Sequence, residues 1–138
     1  MLAQNKILTI TNDSVLVNFL QQELHDGDFE IVNTRHTGIQ LKDIIDMEEP
    51  NFIILDIMMP TLDGIGICLQ LRQWTRLPIL MLTTWGTTSG TVRGLNLGAD
   101  DYLTEPFDAD TLKERIELTL KRNVTATSNS VSNNGKHE

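Results

Sequence analysis

Disulfides, bilayer-length apolar runs and an excess of positive charge are all missing from this chain of 138 residues. The single cysteine, Cys68, cannot form an internal disulfide, and its place in an apolar stripe reads as a core thiol in a reducing compartment. No stretch approaches the ~20 apolar residues of a membrane-spanning helix, and Met1-Leu2-Ala3-Gln4-Asn5-Lys6 lacks a signal-peptide core. The expectation is a cytoplasmic protein with no membrane partner. Eleven basic residues against nineteen acidic ones give a formal net charge of −8. Such a chain repels phosphate backbones and by itself is a poor nucleic-acid binder, favouring cationic partners or metal ions.

What is present suits one compact domain with a real core: 40% hydrophobic and 22% charged residues. Short apolar runs at Lys6 to Ile10, Phe29 to Val32, Phe52 to Ile57, Pro78 to Thr83 and Asp101 to Thr104 read as strands. Helical periodicity lies between them, at Val15, Leu16, Phe19, Leu20 and Leu24, then Leu41, Ile44 and Ile45, then Ile67, Cys68, Leu71 and Trp74, and last Leu112, Ile116 and Leu120. Ser14 or Asp13 can cap the first helix and Asp108 the fifth, because their side-chain oxygens accept free backbone N–H groups. The fourth helical segment, Thr87 to Leu97, carries Gly90 and Gly94, each costing about 1 kcal/mol against Ala. Strand and helix alternating five times predict an α/β fold with a five-stranded parallel sheet, doubly wound as (βα)5. Residues 1–123 are read as the domain. The Ser, Thr and Asn-rich stretch 124–138 buries too little to order itself and is expected to be a disordered tail or linker.

Asp56 is the residue that points to chemistry. It ends the apolar run Asn51-Phe52-Ile53-Ile54-Leu55, where a buried strand of a parallel sheet reaches the crevice in which such folds bind ligands. Taken alone it could equally terminate a strand or cap a helix.

Three runs in order narrow the choice: Leu55-Asp56-Ile57-Met58-Met59-Pro60 with Asp63-Gly64, then Pro78-Ile79-Leu80-Met81-Leu82-Thr83, then Gly98-Ala99-Asp100-Asp101-Tyr102-Leu103 with Pro106-Phe107. Over about residues 5 to 123 the chain resembles the receiver domain of two-component response regulators, a flavodoxin-like fold, and Val92 to Leu95 with Glu114 to Ile116 resemble the OmpR/PhoB subfamily. The resemblance implies that Asp56 is the phosphoacceptor, that the main-chain carbonyl of Met58 is a metal ligand, that Thr83 contacts the phosphoryl group and that Tyr102 is the switch aromatic. It also implies a sensor histidine kinase as phosphodonor and a DNA-binding output domain absent from this sequence. It implies no enzyme beyond this relay. A carboxylate nucleophile forming an acyl phosphate beside a hard divalent cation is consistent chemistry. Thr83 could instead satisfy its own backbone, and Tyr102 could be an ordinary half-buried aromatic.

Departures from the family pattern gather at one place. The two acidic positions after the first strand are Thr11 and Asn12, and the usual lysine before the last proline is Glu105. A unit charge pair ~4 Å apart at an effective dielectric of about 20 is worth on the order of 4 kcal/mol, so replacing Lys by Glu works against a phosphoryl anion. Mg²⁺ is held through carboxylates and phosphate oxygens, so its binding by Asp56, Asn12 and Met58 is expected to be weak. The expectation is poor or atypical phosphorylation. The alternative is a phosphorylation-independent pseudo-receiver that acts as an interaction or dimerisation module.

Arg93, Asp100, Asp101, Glu114 and Arg115, joined by Glu117 and Arg122, resemble the ion-pair set of OmpR/PhoB-type dimers, and a two-fold homodimer through the fourth and fifth helices follows from that likeness. A solvated helix face with local pairs is the plainer reading. Trp85 falls in the loop over the pocket, as a shield, a partner anchor or local packing. A cofactor-binding reading of the same fold lacks support, since Thr11-Asn12-Asp13-Ser14-Val15 contains no glycine for a phosphate loop.

Overall fold

β-Branched and aliphatic residues concentrate in short segments, and in the computed structural model, which describes residues 5–24, 29–57, 64–84 and 98–136, these segments pair as parallel strands. In chain order they are β1 (Asn5–Ile10), α1 (Ser14–Leu24), β2 (Phe29–Thr34), α2 (Gln40–Glu48), β3 (Phe52–Asp56), α3 (Gly64–Trp74), β4 (Ile79–Thr84), β5 (Asp101–Glu105) and a C-terminal helix (Ala109–Lys136). The sheet order is β2-β1-β3-β4-β5. The expected five-stranded, doubly wound α/β sheet is therefore the observed one. The fourth helical segment read from the sequence lies outside the described residues.

Alternation along the strands sorts the side chains into two interiors. Ile7, Phe52, Ile54, Leu80, Leu82 and Leu103 meet α1 and the C-terminal helix through Leu16, Leu20, Leu112 and Ile116. On the other face Leu8, Ile10, Ile53, Leu55, Ile79 and Met81 meet α2 and α3 through Leu41, Ile45, Ile67, Cys68 and Leu71. Strand β3 is buried along its whole length, as befits a central strand covered on both faces. Each such fully buried side chain contributes about 1.5–3 kcal/mol relative to exposure. Cys68 lies in the second interior, where burial pushes its thiol above the ordinary range.

Both expected caps are made. Asp13 Oδ1 accepts the backbone N–H groups of Val15 (3.0 Å) and Leu16 (3.3 Å), so Asp13 rather than Ser14 caps α1. Asp108 Oδ1 accepts from Thr111 N at 2.8 Å at the start of the C-terminal helix. Helix α2 closes on Glu49, whose φ of 51° places it in the left-handed region and turns its N–H onto the Ile45 carbonyl at 2.9 Å.

One expectation meets a different local structure. The C-terminal helix continues to Lys136, through most of the stretch that composition marked as a disordered tail. A helix already nucleated by its packed first turns gains one internal hydrogen bond for each further residue, so the backbone can extend by local bonding.

Candidate functional site at the sheet switch point

Strands β1 and β3 lie side by side, yet the chain leaves β1 for a helix on one face and β3 for a helix on the other. A crevice opens between their carboxyl ends, at the topological switch point where α/β sheets bind ligands. Register pairs Ile10 with Leu55, so the residues that follow, Thr11 and Asp56, stand next to each other.

Asp56 shares strand parity with Phe52 and Ile54, and Thr11 with Ile7, so both face the side of α1 and the C-terminal helix. Asp56 is only 2% exposed and Thr11 1%. The Thr11 hydroxyl donates to Asp56 Oδ2 at 2.5 Å. The Asp13 N–H donates to Thr11 Oγ1 at 3.0 Å, which occupies an acceptor site of that hydroxyl and leaves its proton for Asp56. Behind them Asn33 Nδ2 donates to the Thr11 carbonyl at 3.4 Å, and the Thr9 hydroxyl donates to Asn33 Oδ1 at 2.7 Å. The Thr11 N–H reaches the Thr34 carbonyl at 3.1 Å and ties the same turn to β2. The hydroxyl that reaches the buried Asp56 carboxylate thus belongs to a polar ladder across β1 and β2.

The remaining expected site residues are distributed around this pair. Thr83 is buried near the end of β4, one residue beyond the Leu82 that pairs with Asp56. Tyr102 is 38% exposed on β5, opposite Met81 in register. Asn12 is exposed immediately after Thr11. Glu105 is exposed at the end of β5 and separated from β3 by β4, so it stands at the rim rather than beside Asp56. With Asp13, Val15, Leu16, Phe19, Pro106 and Phe107 it lines a cavity of about 240 Å³, in which Phe19 and Phe107 meet edge to face at 6.1 Å. Met58, Arg93 and Trp85 lie outside the described residues.

The charged set read as an interface divides in two. Asp101 receives Arg115 at 3.1 Å and lies 3.9 Å from Arg122, joining β5 to the C-terminal helix at the surface, with Glu114 exposed alongside. Asp100 is engaged elsewhere, accepting Arg72 Nη2 and the Ile79 N–H, both at 2.8 Å. Arg72 also donates to the carbonyls of Gly98 (2.8 Å) and Leu77 (2.7 Å). Sequence reading passed over Arg72; its only signal was a basic residue in the last turn of α3.

No group of three or more His, Cys, Asp or Glu side chains gathers among the described residues, and Asp56 Oδ2 already faces a donated proton.

Comparison with known proteins gives this geometry a context. The family model described as response regulator receiver domain matches residues 7–117. The chain is 37% identical to the probable transcriptional regulator ycf27 of Cyanophora paradoxa, over 97% of this chain and 56% of the relative. It is also 37% identical to the alkaline phosphatase synthesis transcriptional regulatory protein PhoP of Bacillus subtilis, over 96% of this chain and 55% of the relative. The chain thus spans about half the length of the curated relatives it matches. Among solved structures, the Francisella response regulator 1452 receiver domain superimposes with a TM-score of 0.75 at 30% identity, covering 87% of this chain and 99% of that one.

Proposed function

The chain belongs to the response regulator receiver domain family, and on that premise we propose that it is the receiver of an OmpR/PhoB-type transcriptional regulator whose phosphorylation pocket is impaired. In this reading a sensor histidine kinase is the original phosphodonor, and DNA is reached only through an output domain joined by the segment 124–138. The working compartment is the cytoplasm. Residues 1–123 form the receiver, with Asp56 as the acceptor position, Thr83 and Tyr102 as the switch pair, and Thr11, Asn12 and Glu105 as the altered positions.

The observation that carries the reading is the buried contact between Asp56 and Thr11 at the switch point. A phosphoacceptor must present an oxygen to the incoming phosphorus and have positive charge nearby to stabilise the transferring group. Here the neighbour supplied by β1 is a hydroxyl, and the rim residue of β5 is an acid. Incubation with a small-molecule phosphodonor and Mg²⁺, followed by intact-mass measurement, is expected to show at most a minor fraction of acyl phosphate. Stoichiometric conversion would overturn the impairment.

A second reading, a phosphorylation-independent interaction module, draws on the same contact, since a carboxylate satisfied internally needs no ligand to complete it. Titration of tryptophan fluorescence with Mg²⁺ separates the two: saturable quenching favours the phosphorylated receiver, and a flat response favours the module.

A further inference from the structure

We propose that Thr11 acts as a built-in restraint on Asp56, its hydroxyl taking with a proton the carboxylate oxygen that a metal ion or a phosphorus atom would otherwise engage. The inference deepens the impaired-pocket reading and rests on it. That reading counts losses: two acids and a lysine that are not there. The geometry adds an occupant. Thr11 Oγ1 accepts from the Asp13 N–H, and Asp13 is itself fixed as the cap of α1, so the direction in which the hydroxyl donates is set by the helix start and not by free rotation. The main chain of Thr11 is held on both sides, by Asn33 Nδ2 on its carbonyl and by the Thr34 carbonyl on its N–H. The donor therefore arrives at Asp56 Oδ2 pre-positioned and buried, where a hydrogen bond to a charged group is stronger than at a surface.

In phosphoryl transfer from acetyl phosphate, a carboxylate oxygen of Asp56 would form a bond to phosphorus while the bond from phosphorus to the acetate oxygen breaks, acetate leaving with the electron pair. An oxygen that holds the Thr11 proton is a weaker nucleophile and a poorer ligand, since part of its lone-pair density is already engaged. Thr11 is thus a positioning residue that sets how available Asp56 is, separate from whether positive charge is present around it.

The test compares variants in a background that returns one acid to the pocket. Asn12→Asp, Asn12→Asp with Thr11→Ser, and Asn12→Asp with Thr11→Ala are incubated with acetyl phosphate and Mg²⁺, and acyl phosphate is followed by intact mass. The serine variant keeps the hydroxyl and is expected to match Asn12→Asp alone. The alanine variant is expected to react about tenfold faster, the ratio carried by one charge-assisted hydrogen bond. Equal rates in the serine and alanine variants, zero included, overturn the restraint. Stoichiometric acyl phosphate in the unmodified protein would instead strike the impaired-pocket reading, and the ratio of Thr11→Ala to Thr11→Ser in that protein would still judge the restraint. Should the alanine variants fail to fold, NMR of the unmodified protein decides. A slowly exchanging Thr11 hydroxyl proton is expected, and its absence overturns the proposal.

Discussion

Arg72 and Gly98 fit each other so closely that Gly98 has no room for a side chain: the Gly98 carbonyl accepts the Arg72 Nε–H at 2.8 Å, while a Cβ on Gly98 would lie 2.5 Å from Arg72 Cγ. The φ of Gly98 is +129°, in a region that side chains avoid, so glycine is required there on two independent counts.

Gly98→Ala is accordingly expected to destabilise the fold by about 2 kcal/mol, through backbone strain together with displacement of the guanidinium. Equilibrium urea unfolding checks this. A midpoint unchanged from the parent would show that Arg72 can move aside without loss.

Arg72→Ala should cost about 2–3 kcal/mol in the same assay, because Asp100 is left without its cation and the Gly98 and Leu77 carbonyls lose their donor. Arg72→Lys should recover only part, since one ammonium cannot reach three separated acceptors in the geometry of the planar fork.

Hydrogen bonds from Thr111, side chain first and then backbone, hold the Asp108 carboxyl below its ordinary range. A carboxyl more acidic in the folded state contributes stability that is fully present above its unfolded value and is lost as pH falls through the lower folded value. Thermal unfolding of Asp108→Ala against the parent should therefore show a gap at neutral pH that narrows in acid. A gap independent of pH would mean that the cap acts without its charge.

Burial is the leading cause of the raised Cys68 pKa, with the nearby Arg72 charge opposing it. In mildly alkaline buffer the native thiol should react with a disulfide reagent far more slowly than in the denatured chain. Comparable rates would contradict its place in the interior.

For a two-fold pairing through the charged C-terminal helix face, Arg115→Glu should abolish the dimer, because it reverses one charge of a surface that must be complementary to its own copy. Sedimentation at increasing concentration reads the outcome, and a parent that stays monomeric throughout would count against the pairing.

The sheet was legible in the sequence because apolar runs of the right length carry their own signal, and Asp56 stood out by ending such a run. The two interiors could be anticipated from alternation alone. Arg72 could not, since its partners Leu77, Gly98 and Asp100 come together only when the loops before β4 and β5 are folded against the end of α3. For the same reason Asp100, adjacent to Asp101, read as part of one surface patch with it, although the two carboxylates serve different partners. Thr11 was legible as a missing acid but not as a donor, because the direction of its hydroxyl depends on the turn into α1. At the end of the chain composition speaks to burial, whereas continuation of the helix to Lys136 is a matter of local backbone bonding.

The parity of Ile7 and Leu8, neighbours that enter different interiors, means that the central ribbon has a reading frame. Sliding β3 by one residue would send Leu55 toward α1 and swing the acid of Asp56 in among Ile67, Leu71 and Met81, exchanging a satisfied anion for a stranded one. The polar pair at the crevice thereby penalises a one-residue slip of the central strand, whatever signalling duty it has kept or lost.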